Sequence, residues 1–195
     1  MLKHSILAES PNKMIPLIHL PLVFLVLVAG IYDIRYRRIP NWLVLPAIPV
    51  GFLLHAVLSL VRSNSVWPGL REAALGFGAA VLIYLPMYAL RGMGAGDVKL
   101  AAALGALAGW PDWLWILLFS AVIGLVLALA LMLLHRRFRK TLSNTAYLIW
   151  DLAHLRPPYR RSEELDVQSP KGMRLPHGAV LALGTLALLG VRAFH

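Results

Sequence analysis

The sequence predicts an all-α, polytopic membrane protein, and three observations carry that prediction. Of its 195 residues, 59% are hydrophobic and 14% charged, with a mean hydropathy of +0.70. A soluble domain is about half apolar and about a quarter charged, so this composition cannot build a water-facing surface. The apolar residues also fall in six blocks rather than in short alternating stretches, which favours spanning helices over a β-barrel. Finally, the basic residues that make up a net charge of +10 gather in the gaps between blocks. There they act as topology determinants, and binding of nucleic acid is not expected. The absence of cysteine excludes disulfides, thiolate metal sites and a cysteine nucleophile. No internal repeat is visible, and residues 1–195 read as a single membrane-embedded domain.

The blocks run 15–32, 42–61, 70–90, 98–108, 113–134 and 176–193. Five are long enough to cross a hydrocarbon core that needs about 20 residues; 98–108 is short. Lys3 and Lys13 before the first block give it the look of a secretory signal, but Arg35, Arg37 and Arg38 come directly after it and resist translocation, so a retained helix is expected. The gaps after blocks one, three and five hold fourteen Lys and Arg, against five on the other side. That bias puts about six transmembrane helices in the membrane with both termini outside. Trp67, Trp110 and Trp113 fall at expected outer ends and Trp42 at an inner end, where amphipathic rings sit at the interface. The segment 135–175 reads as a cytoplasmic loop. It carries an apolar run at Tyr147, Leu148, Ile149, Trp150 and Leu152 suited to an interfacial helix, then a polar, proline-containing stretch.

The chain has nine carboxylates. Glu9 lies in the tail, Asp151, Glu163, Glu164 and Asp166 in the long loop, and Glu72 and Asp112 at outer helix ends. Asp33 and Asp97 remain, each at the cytoplasmic edge of an apolar block. From Trp110 back to Asp97 a helix covers about 20 Å of a hydrocarbon core about 30 Å thick, which places Asp97 about 10 Å below the inner boundary. A charge at such depth costs about 2.5–3.5 kcal/mol and persists only with a partner or in a polar cavity. Gly92-Met93-Gly94-Ala95-Gly96-Asp97 is too glycine-rich to hold a stable helix and predicts irregular backbone lining such a cavity. Ala101, Gly105 and Gly109 recur every four residues as a stripe for tight helix packing.

Two carboxylates held close cannot both ionise easily, and they share a proton. The ionised one can then deprotonate water while the protonated one polarises a peptide carbonyl, as in an aspartic protease, with no cofactor or metal. Plainer readings stand beside this. Asp33 alone suits an interfacial acid paired with Arg35 or Arg37, a lone GxGD suits a loop, and Lys99 suits a side chain snorkelling to the headgroups. His19, His55 and His177 share no metal-ligand spacing and read as packing residues. Ser120 lacks a GxSxG setting, and no HExxH occurs.

The combination is more specific than its parts. Asp33-Ile34-Arg35-Tyr36-Arg37-Arg38-Ile39-Pro40-Asn41 resembles the D-x-R-x-R-x-I-P-N signature of prepilin peptidases, also called type IV leader peptidases, and Gly94-Ala95-Gly96-Asp97-Val98-Lys99-Leu100 resembles their GxGDxKL segment. Leu175-Pro176-His177-Gly178 loosely resembles the motif that opens their last helix. The resemblance implies cleavage of the basic leader from prepilins or pseudopilins at the cytoplasmic face of the bacterial inner membrane. Asp33 and Asp97 carry over as the catalytic pair, and Gly94, Gly96, Lys99, Arg35 and Asn41 as motif residues. Longer family members bind zinc through cysteine pairs and also N-methylate the new terminus. Without cysteine, neither zinc nor methyltransferase activity is expected, and the chain is similar to the short form of tight-adherence (Flp-type) pilus systems. A homodimer stays open. The competing readings are a proton-coupled transporter or channel using the same acid pair, a non-catalytic scaffold of a secretion machine, and a presenilin-like or signal-peptide-peptidase-like enzyme. The Arg-Ile-Pro-Asn run after Asp33 argues against the last of these.

Overall fold

The computed structural model describes residues 15–90, 93–134 and 176–193, with side chains from Ile18 onward. The expected loop 135–175, its interfacial helix and the N-terminal tail lie outside the described residues. Every element described is helical: α1 (Ile15–Tyr36), α2 (Asn41–Ser63), α3 (Trp67–Ala89), α4 (Ala95–Leu134) and α5 (His177–Ala193). Ile18–Tyr36, Asn41–Ser63, Trp67–Ala89 and Ala95–Leu134 are long and apolar enough to cross a membrane, while α5 is shorter.

α4 joins the expected blocks 98–108 and 113–134, but it is not one straight rod. Gly109 breaks it at φ 76°, ψ 172°, a conformation that side chains disfavour, and Pro111 comes two residues later. The contacts of the two arms show that the chain reverses there. Asn41 meets Lys99 and His55 meets Leu107, so the first arm runs parallel to α2. Gly124 meets Val180 and Asp112 pairs with Arg192, so the second arm runs antiparallel to α5. Gly109 therefore makes a helical hairpin, and it still packs with Gly105 against Gly76 of α3, as the small-residue stripe read from the sequence requires.

The first arm is the centre of the bundle, with Leu100 through Ala108 all buried. Its alanines and glycines let neighbouring backbones come close. Gly105 lies against Gly76 of α3, and a Cβ on Gly51 of α2 would sit 2.6 Å from the Ala106 carbonyl carbon. Association of apolar helices in lipid depends on such close packing, because lipid is as apolar as leucine. Trp113, expected at the outer interface, is instead fully buried in this core, its ring 5.9 Å from that of Tyr84. The hairpin turn puts it there, because the second arm folds back onto α3. Trp67, Trp110 and Trp42 are exposed, as their expected interfacial places require.

The helix bounds also move. α1 runs one turn past Asp33 and ends where Arg37 adopts φ 50° and its N–H bonds the Asp33 carbonyl at 2.9 Å. This is the left-handed C-terminal cap usually given to glycine; for arginine it costs about 1–2 kcal/mol. Pro40 then forces extended backbone, φ −72° and ψ 134°, as the N-cap of α2. α4 starts at Ala95, so Gly96 and Asp97 lie in a helical first turn rather than in the irregular stretch expected for them.

The end of the bundle away from Asp33 is held by polar contacts among the helices. In an unbroken helix the Leu107 carbonyl would accept from residue 111, but Pro111 has no N–H to give. The buried His55 ring supplies the donor, Nε2 lying 3.1 Å from that oxygen, while its Nδ1 is 3.7 Å from Glu72 Oε2. His55 is thus the packing residue expected, with a defined task at the hairpin. His55→Phe keeps the volume but leaves the carbonyl unpaired. It is expected to lower stability by about 1–3 kcal/mol, read as an earlier thermal unfolding of the protein in lipid nanodiscs.

Candidate active site

Asp33 and Asp97 come together at one end of the bundle, and main-chain N–H groups hold each of them. The first N–H groups of a helix have no partner within it. Asp33 is buried, 7% exposed, and its Oδ2 accepts the N–H of Ala179, in the first turn of α5, at 3.1 Å. Asp97 is half-buried and reaches back over its own helix start, its Oδ2 accepting the Gly94 N–H at 3.3 Å. That is one half of a capping box, with the acid at the third helical position and Gly94 as the cap. Each carboxylate therefore has Oδ2 committed to the backbone, and among the described residues Oδ1 accepts no hydrogen bond. Asp97 interacts electrostatically with both Asp33 and His177.

Ile39 and Gly178 set the spacing. A Cβ on Gly178 would lie 2.9 Å from Asp33 Oδ2 and 3.0 Å from Ile39 Cδ1; a Cβ on Gly96 would lie 3.3 Å from Ile39 Cβ. Ile39 is thus wedged between the two glycines and links both sequence motifs to the start of α5. A second link is polar: Lys99 Nζ donates to Asn41 Oδ1 at 3.0 Å. Lys99 is therefore tied to the other motif.

The structure brings together Asp33, Asp97, Gly94, Gly96, Lys99 and Asn41. Arg35 stands outside the cluster: it is exposed, with its guanidinium carbon 5.9 Å from the centroid of the Tyr36 ring. Among the described residues Asp33 pairs with neither Arg35 nor Arg37, so the plainer reading of Asp33 as an arginine-paired interfacial acid does not hold. Three contributors escaped the sequence reading. His177 was expected to be a packing residue but is exposed at the start of α5, directly before Gly178. Tyr84 on α3 also interacts electrostatically with Asp97. Ala179 gives only its N–H, which no side-chain pattern reveals; Pro176 ahead of Gly178 was the available signal for that helix start. A largely apolar groove of about 490 Å³, lined by Tyr84, Met87, Met93, Leu117, Gly124 and His177 among others, runs between α3, the second arm of α4 and α5 to this end. The described residues contain no group of three or more His, Cys, Asp or Glu able to hold a metal ion.

The model of the type IV leader peptidase family matches residues 20–129, a stretch that includes both aspartates. The chain belongs to this family. It is 30% identical over 139 residues to the prepilin leader peptidase/N-methyltransferase of Escherichia coli (strain K12), covering 64% of this chain and 60% of that protein. It is 32% identical over 126 residues to the enzyme of the same name from Pseudomonas putida, covering 60% of this chain and 40% of that one. Leader peptidase HopD of Salmonella typhimurium is 36% identical over 91 residues, 45% of this chain and 54% of HopD. The chain thus spans between 40% and 60% of the length of these curated relatives. No solved structure matches it. Together with its apolar helices, family membership makes this a multi-pass membrane protein.

Gly178→Ala places a methyl group against the Asp33 carboxylate and Ile39 at once. One of the two must give way, so this variant is expected to lower stability by about 1–3 kcal/mol, read as earlier thermal unfolding of the protein in lipid nanodiscs.

Proposed function

We propose that the protein is a membrane aspartic endopeptidase that removes the basic leader from prepilins or pseudopilins, with Asp33 and Asp97 as its catalytic pair. The observation that carries this reading is the matched placement of the two acids, one from each motif, at neighbouring helix N-termini, with one oxygen of each carboxyl accepting no hydrogen bond among the described residues. In the reaction, the ionised aspartate takes a proton from water while the protonated one donates to the scissile carbonyl oxygen. The hydroxide adds to the carbonyl carbon and gives a tetrahedral diol. As the C–N bond breaks, the newly protonated aspartate delivers its proton to the departing amine, and the diol returns a proton to the other carboxylate. Atoms and charge balance within the pair, and no cofactor enters. Gly96 makes room for Ile39, Gly94 gives its N–H to Asp97, and Asn41 with Lys99 holds the two motifs in register.

The proposal extends to topology. The six helical arms cross the inner membrane with both termini outside, and the acid pair faces the cytoplasm. Support comes from the fourteen basic residues that the sequence assigns to that side and from the antiparallel run of neighbouring arms. Cleavage alone is proposed; the N-methyltransferase named for the longer relatives is not carried to this chain.

Asp33→Asn and Asp97→Asn keep an acceptor for Ala179 and Gly94 but cannot exchange the proton. Each is expected to remain in the membrane and to lose at least about 10³-fold in cleavage, within the range of a lost general acid or base. The check is incubation of purified protein with a candidate prepilin and sequencing of the new N-terminus. Near wild-type cleavage by either variant would sink the pair, and sealed vesicles that move protons without any proteolysis would favour a transporter instead.

A further inference from the structure

At the end of the bundle away from the aspartate pair, the helix ends enclose a cavity of about 190 Å³. Six ionisable side chains line it: His19 from α1, His55 and Arg62 from α2, Glu72 from α3, Asp112 from α4 and Arg192 from α5. In a membrane chain of which 14% is charged, so dense a group needs a reason. Part of it is closed within the protein. Arg192 pairs with Asp112, and the His55 ring has Nε2 3.1 Å from the Leu107 carbonyl oxygen and Nδ1 3.7 Å from Glu72. Arg62, in the last turn of α2, and Glu72, near the start of α3, are exposed. They border the same cavity but do not pair with each other, and Arg62 has no hydrogen bond or ion pair among the described residues. Trp67 and Trp110, exposed at this end, mark the level of the lipid headgroups.

Two opposite charges that border one cavity without touching suit a ligand that carries both signs. We propose that this cavity binds the headgroup of a phospholipid of the phosphoethanolamine class, its phosphate on Arg62 and its primary ammonium on Glu72. Guanidinium meets phosphate oxygens with two parallel N–H donors, and a carboxylate accepts from an ammonium group. Charge balances throughout: Arg62 and Arg192 offset Glu72 and Asp112, and the zwitterion adds none. A headgroup with phosphate alone would set an anion beside Glu72, and a quaternary choline offers Glu72 no N–H to accept. The occupant is a membrane lipid rather than a solute, because the cavity lies among helix ends at the level of the interfacial tryptophans. None of the six side chains belongs to the aspartate site, so lipid binding here is independent of the peptidase reading.

The test uses the full chain in nanodiscs of dioleoylphosphatidylcholine, with about one third of that lipid replaced by dioleoylphosphatidylethanolamine or by dioleoylphosphatidylglycerol. The ethanolamine lipid is expected to raise the unfolding temperature of wild type by about 3 °C, and the glycerol lipid by less than about 1 °C. Glu72→Gln and Arg62→Gln are each expected to lose the ethanolamine shift. Every variant is compared with itself in choline lipid, so a change in its basal stability drops out. Arg71→Gln removes an exposed charge that does not line the cavity, and it is expected to keep the wild-type shift. Native mass spectrometry of protein released from the mixed nanodiscs gives a second readout. Wild type is expected to retain one ethanolamine lipid about tenfold over choline lipid, Glu72→Gln to retain the two alike, and Arg62→Gln to retain neither. An equal shift in wild type and Glu72→Gln would make the effect one of the whole bilayer and overturn the proposal. Preference for the glycerol lipid would overturn it too, since basic residues alone would then account for binding, as would loss of the shift in Arg71→Gln or a wild type that retains no lipid.

Discussion

An apolar helix that begins inside a bundle leaves main-chain N–H groups without partners, and much of this molecule depends on how they are satisfied. Water is scarce in such surroundings, and an unpaired donor costs several kcal/mol. At one end of the bundle α4 and α5 both begin, and in each first turn a carboxylate takes an N–H: Asp97 within its own helix, Asp33 across 146 residues of sequence. The same two bonds position the acids. Structure and site are therefore not separable here, since the groups that close two helix ends are the groups proposed to do the chemistry.

Holding two helix starts at one level requires that the central arm of α4 be set tightly among its neighbours. Gly105 against Gly76, and Gly51 against Ala106, fix its height to a fraction of a side chain. The α1–α2 connection then completes the site. With Arg37 left-handed and Pro40 extended, four residues suffice to turn the chain and send Ile39 between Gly96 and Gly178. A longer or looser turn would leave that wedge unspecified. The strain at Arg37 is consistent with a conformation dictated by the seating of Ile39 rather than by local preference.

Much of this was legible in the sequence, for definite reasons. Hydropathy located each helix, because lipid permits few other structures, and Asp33 and Asp97 stood out because acids at helix edges inside a membrane need a reason. The illegible parts depend on which element faces which. Nothing local distinguishes Gly109, where the chain reverses, from Gly105: both pack against Gly76 and both fit the same four-residue stripe. Trp113 looked interfacial because its depth depends on the direction the chain takes after Gly109. His177 looked like filler because the place of its helix start beside Asp33 arises only when α5 docks on α1. The first turn of α4 was misread because glycine content was weighed without Asp97, whose side chain caps the very helix that the glycines weaken.

The two ends of the bundle treat charge differently, and this is the strongest physical argument for the proton chemistry proposed at one of them. Away from the site, Arg192 pairs with Asp112, and the His55 ring stands 3.7 Å from Glu72. A carboxylate neutralised by a cation is a poor proton carrier. At the site end, among the described residues, Lys99 donates to Asn41, Arg35 lies by Tyr36, and the hydrogen bonds that the two aspartates accept come from neutral N–H groups. Two carboxylates so placed relieve their mutual repulsion most directly by sharing a proton. A pair proposed to pass a proton back and forth is better served by neutral donors than by a salt bridge that would hold one acid ionised.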